Sequence, residues 1–96
     1  MGQLRLFVKS PGSDERVYEV SEGEVTVGRD PAVGIPVDDK TLSRRHCKVY
    51  LGADGWRVTD LGSRNGTYLN GARLTKPQSV NTGDRIQVGY TVLEAQ

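Results

Sequence analysis

Apolar residues recur at every second position along most of the chain. Leu4, Leu6 and Val8 do so beside Arg5 and Lys9; Val25 and Val27 flank Thr26; Cys47, Val49 and Leu51 flank Lys48 and Tyr50; Trp56 and Val58 flank Arg57; Ile86 and Val88 flank Gln87. A strand sends successive side chains to opposite faces, so each of these segments reads as a half-buried strand. No window sustains apolar residues at helical spacing, and no helix is predicted. Between the strands stand turn signals at Pro11-Gly12, Asp54-Gly55, Asn65-Gly66, Asn70-Gly71 and Asn81-Thr82-Gly83-Asp84, where Gly and Asn tolerate positive φ. Asn70-Gly71, between Thr67-Tyr68-Leu69 and Ala72-Arg73-Leu74, is the clearest hairpin. Short strands about every ten residues, with no helix, point to an all-β sandwich. The inward Leu, Val, Ile and Trp side chains form its core, each contributing about 1.5–3 kcal/mol when fully buried.

The 96 residues suffice for one domain with one modest core, spanning 1–96 without repeat or linker. Apolar residues are 35% of the chain, and no run approaches the ~18 needed to cross a bilayer, so no membrane span is expected. The opening Met1-Gly2-Gln3-Leu4-Arg5 has no secretory layout, which gives a cytoplasmic expectation. One cysteine, Cys47, leaves no internal disulfide, and one histidine, His46, leaves no Cys/His zinc cluster; neither metal nor cofactor is expected.

Overall charge is only +1, but residues 40 to 76 carry eight basic side chains against two acidic ones. That asymmetry reads as a local anion site on an acidic body, or as an ordinary solvated surface. It is not the broad basic face of a nucleic-acid binder, and no nucleic-acid partner is expected.

Three polar, glycine-bearing clusters sit at strand ends: Gly28-Arg29-Asp30-Pro31, then Thr41-Leu42-Ser43-Arg44-Arg45-His46, then Asp60-Leu61-Gly62-Ser63-Arg64-Asn65-Gly66-Thr67. Guanidiniums supply planar charge-assisted forks, a serine supplies a short donor, and glycine turns expose backbone N–H groups. Together these suit a phosphate. A single such cluster is more often a turn with a solvated charge.

In order and spacing, Gly28-Arg29, Ser43-Arg44-x-His46, Ser63-x-Asn65-Gly66-Thr67 and Asn70-Gly71 resemble the signature of the forkhead-associated (FHA) domain, with a motif core over about 25–90. The resemblance implies an eleven-stranded β-sandwich of two twisted sheets, with recognition loops at one end that bind phosphothreonine peptides. It implies that Arg29 stabilises the phosphate pocket, that Ser43 and Arg44 bond the phosphate oxygens, that Arg64 adds a phosphate-side contact, and that Asn65 grips the peptide main chain. Thr41 falls near the family's selector for the residue three places after the phosphothreonine, and Thr rather than Arg there argues against an acidic preference. Gly28, His46, Ser63, Gly66, Thr67, Asn70 and Gly71 match loop-bracing positions. The implied partner is a phosphothreonine-containing protein or peptide, a Ser/Thr kinase or its substrate, met by a monomer. Because the family usually appears attached to kinase, transcriptional or secretion components, an excised module is expected.

Other readings of single residues are structural. Cys47 shares the apolar face of Val49 and reads as a small buried hydrophobe, and Trp56 reads as core. Asp60 and Asp84 read as turn caps, and Asp38 and Asp39 as a solvated strand end. His46 and Cys47, as neighbours along a strand, are expected on opposite faces and so form no catalytic dyad. A phosphatase or nucleotide hydrolase would use the same Arg-lined site but also needs a nucleophile, base or metal cage. No Gly-x-x-x-x-Gly-Lys run, Cys-x5-Arg stretch or carboxylate cluster is present, so no catalytic residue is assigned. A phosphorylation-independent interaction scaffold with the same fold is the alternative function.

Overall fold

Each strand expected from the alternating pattern is present in the computed structural model, which describes residues 3–96. Met1 and Gly2, which open both the span read as one domain and the segment read for a leader, lie outside the described residues. The expected strands are β1 (Leu4–Lys9), β3 (Glu24–Gly28), β5 (Cys47–Gly52), β6 (Gly55–Asp60), β7 (Thr67–Leu69), β8 (Ala72–Arg73) and β10 (Arg85–Val88). Four more escape the pattern: β2 (Arg16–Val20), β4 (Ile35–Pro36), β9 (Gln78–Ser79) and β11 (Thr91–Ala95). The eleven strands form two sheets, ordered β2-β1-β11-β10-β7-β8 and β4-β3-β5-β6-β9. Among the described residues no helix is long and apolar enough to cross a membrane.

The core lies between the sheets. Leu4, Leu6, Val8, Ile86, Val88 and Leu93 face it from one side, and Val27, Cys47, Val49 and Val58 from the other, all buried. Trp56 packs half-buried against this cluster. Leu51, read with the inner face of β5, is instead 43% exposed beside the turn into β6. The Asn70-Gly71 turn has positive φ at both residues, 50° and 87°, as a two-residue hairpin whose twist matches its strands requires.

Strand pairing decides which loops meet. In the five-stranded sheet Val27 pairs with Cys47 and Cys47 with Asp60. The exit of β3, the entry of β5 and the exit of β6 are therefore neighbours, and the three polar clusters leave the sandwich from one end. Thr67, where the chain enters the other sheet, pairs with Val88, which brings the β10–β11 turn at Gly89-Tyr90 to that same end.

Candidate functional site

The β3–β5 ladder runs on into the loops. The Arg29 N–H donates to the Ser43 carbonyl at 3.0 Å and the Asp30 N–H to the Arg44 carbonyl at 3.2 Å. Gly28 is buried at the start of this contact, and a Cβ there would collide with the Arg44 carbonyl. Glycine is needed at this position because two backbones touch, not because φ is positive.

Arg29 donates its Nε–H to the Leu42 carbonyl at 3.1 Å, which orients the guanidinium, and its two terminal nitrogens have no hydrogen-bond partner among the described residues. Ser43 Oγ accepts the Arg64 N–H at 2.9 Å, tying the second loop to the third and leaving the hydroxyl proton to donate elsewhere. Asn65 donates Nδ2–H to the Thr41 carbonyl at 2.8 Å and so crosses the same gap, with its Oδ1 and second N–H still available.

Arg29, Thr41, Ser43, Arg44, Arg64 and Asn65 line one depression of about 230 Å³, together with Lys40 and Leu42. The ion pairs among the described residues are Arg5–Glu19, Lys48–Glu24 and Arg85–Glu94, so the guanidiniums of Arg29, Arg44 and Arg64 meet no carboxylate. The depression therefore holds four cations and a serine hydroxyl without an anion to neutralise them. Lys40, one of these cations, was not singled out from the sequence, although its place beside Thr41 in the basic segment was a usable signal.

Behind the depression, His46 is fully buried and joins two loops. Its Nδ1 accepts the Ser43 N–H at 3.1 Å, and its Nε2–H donates to the Gly66 carbonyl at 2.7 Å. Gly66, at φ 85°, donates its N–H to Ser63 Oγ, and the Arg73 guanidinium lies 3.1 Å from where a Cβ would stand. Asp60 accepts from the Ser63 hydroxyl, the Ser63 N–H at 2.9 Å and the Thr67 hydroxyl at 2.7 Å. Burial pushes the Asp60 carboxyl up, but these bonds outweigh it and hold it below its ordinary value.

Two expected bracing residues stand elsewhere. Asn70 and Gly71 turn at the opposite end of β7, where Asn70 accepts the Arg85 N–H at 2.9 Å and donates to Asp84 at 3.1 Å. Asn70 braces the start of β10 rather than the convergent loops, while Gly71 lines a groove with Thr41 and Asn65. Asp84 also caps the Asn81 N–H at 2.8 Å.

His46 precedes β5 instead of lying within it, so strand alternation does not separate it from Cys47, and both side chains are enclosed. They still form no dyad. Both imidazole nitrogens are engaged, and burial, with Asp60 nearby, pushes the Cys47 thiol up to about 12, far from the thiolate a nucleophile needs.

Asp39 corrects a further expectation. It is only 7% exposed rather than solvated, and it accepts hydrogen bonds from the Thr41 N–H at 2.9 Å, the Thr41 hydroxyl, the Tyr90 N–H at 3.0 Å and the Thr91 hydroxyl at 2.9 Å. Asp38, beside it, is exposed.

Comparison with known proteins agrees with this geometry. The FHA domain family model matches residues 25–89. An oxoglutarate dehydrogenase inhibitor of Corynebacterium jeikeium is 40% identical over 90 residues, covering 92% of this chain and 60% of that protein. The chain spans about three fifths of the length of the curated oxoglutarate dehydrogenase inhibitors it matches. An FHA domain solved in a study of phosphothreonine-dependent FHA domain interactions superposes with a TM-score of 0.86 at 26% identity, covering 98% of this chain and 95% of that one. The FhaA FHA domain, complexed with the intracellular domain of Rv3910, gives 0.85 at 26% identity, covering 97% and 99%.

Proposed function

The chain belongs to the FHA domain family, and from that premise we propose that it is a phosphothreonine-peptide recognition module that recruits phosphorylated partners in Ser/Thr kinase signalling. In this reading a monomer acts in the cytoplasm and the partner is a Ser/Thr kinase or its substrate. One observation carries the reading: Arg29, Ser43, Arg44, Arg64 and Asn65, drawn from three loops, line a single depression with no carboxylate paired to its guanidiniums.

A phosphothreonine carries about −1.5 to −2 charge at neutral pH and three strong acceptor oxygens, which two or three guanidiniums and a hydroxyl can neutralise and saturate. Arg29 and Arg44 supply forks, Ser43 donates its free proton, and Arg64 adds charge from the third loop. Asn65 presents its unused amide atoms to the peptide main chain. Each charge-assisted bond is worth about 1.5–3 kcal/mol net, which is compatible with a micromolar complex of about −8 kcal/mol after ordering costs. Preference for threonine over serine through one buried methyl is worth ~0.8 kcal/mol, about fourfold. The depression is lined by no histidine or carboxylate that could activate water or the Ser43 hydroxyl or hold a metal, which favours binding over hydrolysis.

Titration with matched Thr, phospho-Thr and phospho-Ser peptides tests the reading. It requires tight binding of phospho-Thr, weaker binding of phospho-Ser and no released phosphate. Equal binding of the unmodified peptide would favour a phosphorylation-independent scaffold, and phosphate release would favour a hydrolase.

A further inference from the structure

A second groove, of about 610 Å³, opens beside the phosphate depression and shares Thr41 and Asn65 with it. Its other walls include Tyr68, Gln87, Gly89 and Tyr90, so the β10–β11 turn faces the Thr41 loop across it. Among the described residues one side chain bonds both walls. Asp39 takes the N–H and hydroxyl of Thr41 on one side, and the Tyr90 N–H and Thr91 hydroxyl, 51 and 52 residues further on, on the other.

The structure assigns to Asp39 the role of a positioning residue for peptide recognition: it fixes the Thr41 loop against the Gly89-Tyr90 turn and so sets the groove that receives the peptide beyond its phosphothreonine. The assignment rests on the phosphopeptide reading above.

The bonding leaves little slack. Four donors converge on two oxygens, and only a carboxylate accepts from all of them. Burial pushes the Asp39 carboxyl up, but the bonds from Thr41, Thr91 and Tyr90 outweigh it and keep it below its ordinary value, as a charged acceptor should be. Thr91 Oγ1 lies 2.8 Å from Ser10 Oγ, which anchors the network to the end of β1. Packing tightens it further: a Cβ on Gly89 would strike Thr41 Oγ1. The Thr41 hydroxyl gives its proton to Asp39, so toward the peptide it acts only as an acceptor. The groove that Thr41 shares with Asn65, Tyr68, Gln87 and Tyr90 has no charged side chain in its walls, so it offers an acidic residue no cation to pair with.

Asp39→Asn keeps the shape but turns one acceptor into a donor aimed at donors. Its affinity should be measured for a phosphothreonine peptide with several residues after the phosphate, and for N-acetyl-phosphothreonine amide, which reaches only the first depression. The peptide should weaken roughly tenfold, the scale of one hydrogen bond to a charged group, while the amide changes less than twofold. A merely structural role would weaken both alike or neither, and either result overturns the assignment. Amide hydrogen exchange reads the same role without ligand. Thr41 and Tyr90 should lose protection in Asp39→Asn while the β5–β6 hairpin keeps its own, and unchanged exchange at both sites also overturns it. Thr91→Val, which removes one donor to Asp39 from outside both depressions and keeps the carboxylate, gives the same discrimination between peptide and amide if Asp39→Asn fails to fold. Should the wild-type chain bind phosphorylated and unmodified peptide equally, the phosphopeptide reading fails while the exchange result still decides whether Asp39 couples the two walls.

Discussion

The Nε2–H of His46 donates to the carbonyl of Gly66 at 2.7 Å inside the core, while Nδ1 of the same ring accepts the Ser43 N–H. One imidazole thus joins the loop carrying Ser43 and Arg44 to the loop carrying Arg64 and Asn65. His46→Ala removes both bonds, leaves a buried carbonyl and N–H unsatisfied, and opens a cavity. The cost is about 3 kcal/mol, which lowers Tm on the order of 10 °C in a domain this size. Thermal unfolding should show that loss, and peptide titration should show weakened binding, because the loops no longer share a fixed spacing. A variant matching wild type in both would remove His46 from the scaffold.

Arg29→Ala and Ser43→Ala act on the ligand side. Arg29 is exposed and Ser43 half-buried, and neither belongs to the core. Both should abolish measurable phosphopeptide binding and leave Tm within a few degrees of wild type. Large losses of stability in both variants would make these loops structural only.

Gly28→Ala tests the convergence of backbones. Its Cβ has no room beside the Arg44 carbonyl, and backbone cannot swing aside as a side chain can. A destabilisation of about 2 kcal/mol or more is expected, with binding weakened because Arg29 is displaced. Equal Tm and affinity would show that the two loops can separate freely.

How much of this was legible in the sequence follows from how each strand is buried. β1, β3, β5, β6 and β10 each carry at least two large apolar residues two apart and were readable. β11 buries Thr91, Leu93 and Ala95, so its inner face shows only one large apolar residue in the sequence. β2 is an edge strand that turns Val17 outward at 51% exposure and buries Val20, which blurs the alternation. β4 and β9 are two residues each, below any periodic signal. The three loop clusters were visible as residues, but their convergence depends on the Val27–Cys47–Asp60 register, which is a fact of pairing. Asp39 was misread for the same reason. Its local bond to the Thr41 N–H was inferable from an Asp two residues ahead, whereas Tyr90 and Thr91 lie too far along the chain.

Acid should expose the buried carboxylates. Asp39 and Asp60 are both held below the ordinary 3.8, so each contributes stability that is complete well above that value and is lost as pH falls through the folded-state value. Unfolding free energy measured from pH 7 to pH 2 should stay level on this account until about pH 5 and then drop. Asp60→Asn should flatten part of that drop. A drop unchanged in Asp60→Asn would mean that other carboxylates carry it.

The central claim is that three separated loops enclose one phosphate, and amide chemical-shift mapping during titration with a phosphothreonine peptide tests it most directly. The account predicts the largest shifts at Arg29, Ser43, Arg44, Arg64 and Asn65, with the Ala53-Asp54 turn and the Asn81–Asp84 turn, which line neither depression, unmoved. Shifts centred on those distal turns, or equal shifts from the unphosphorylated peptide, would contradict it.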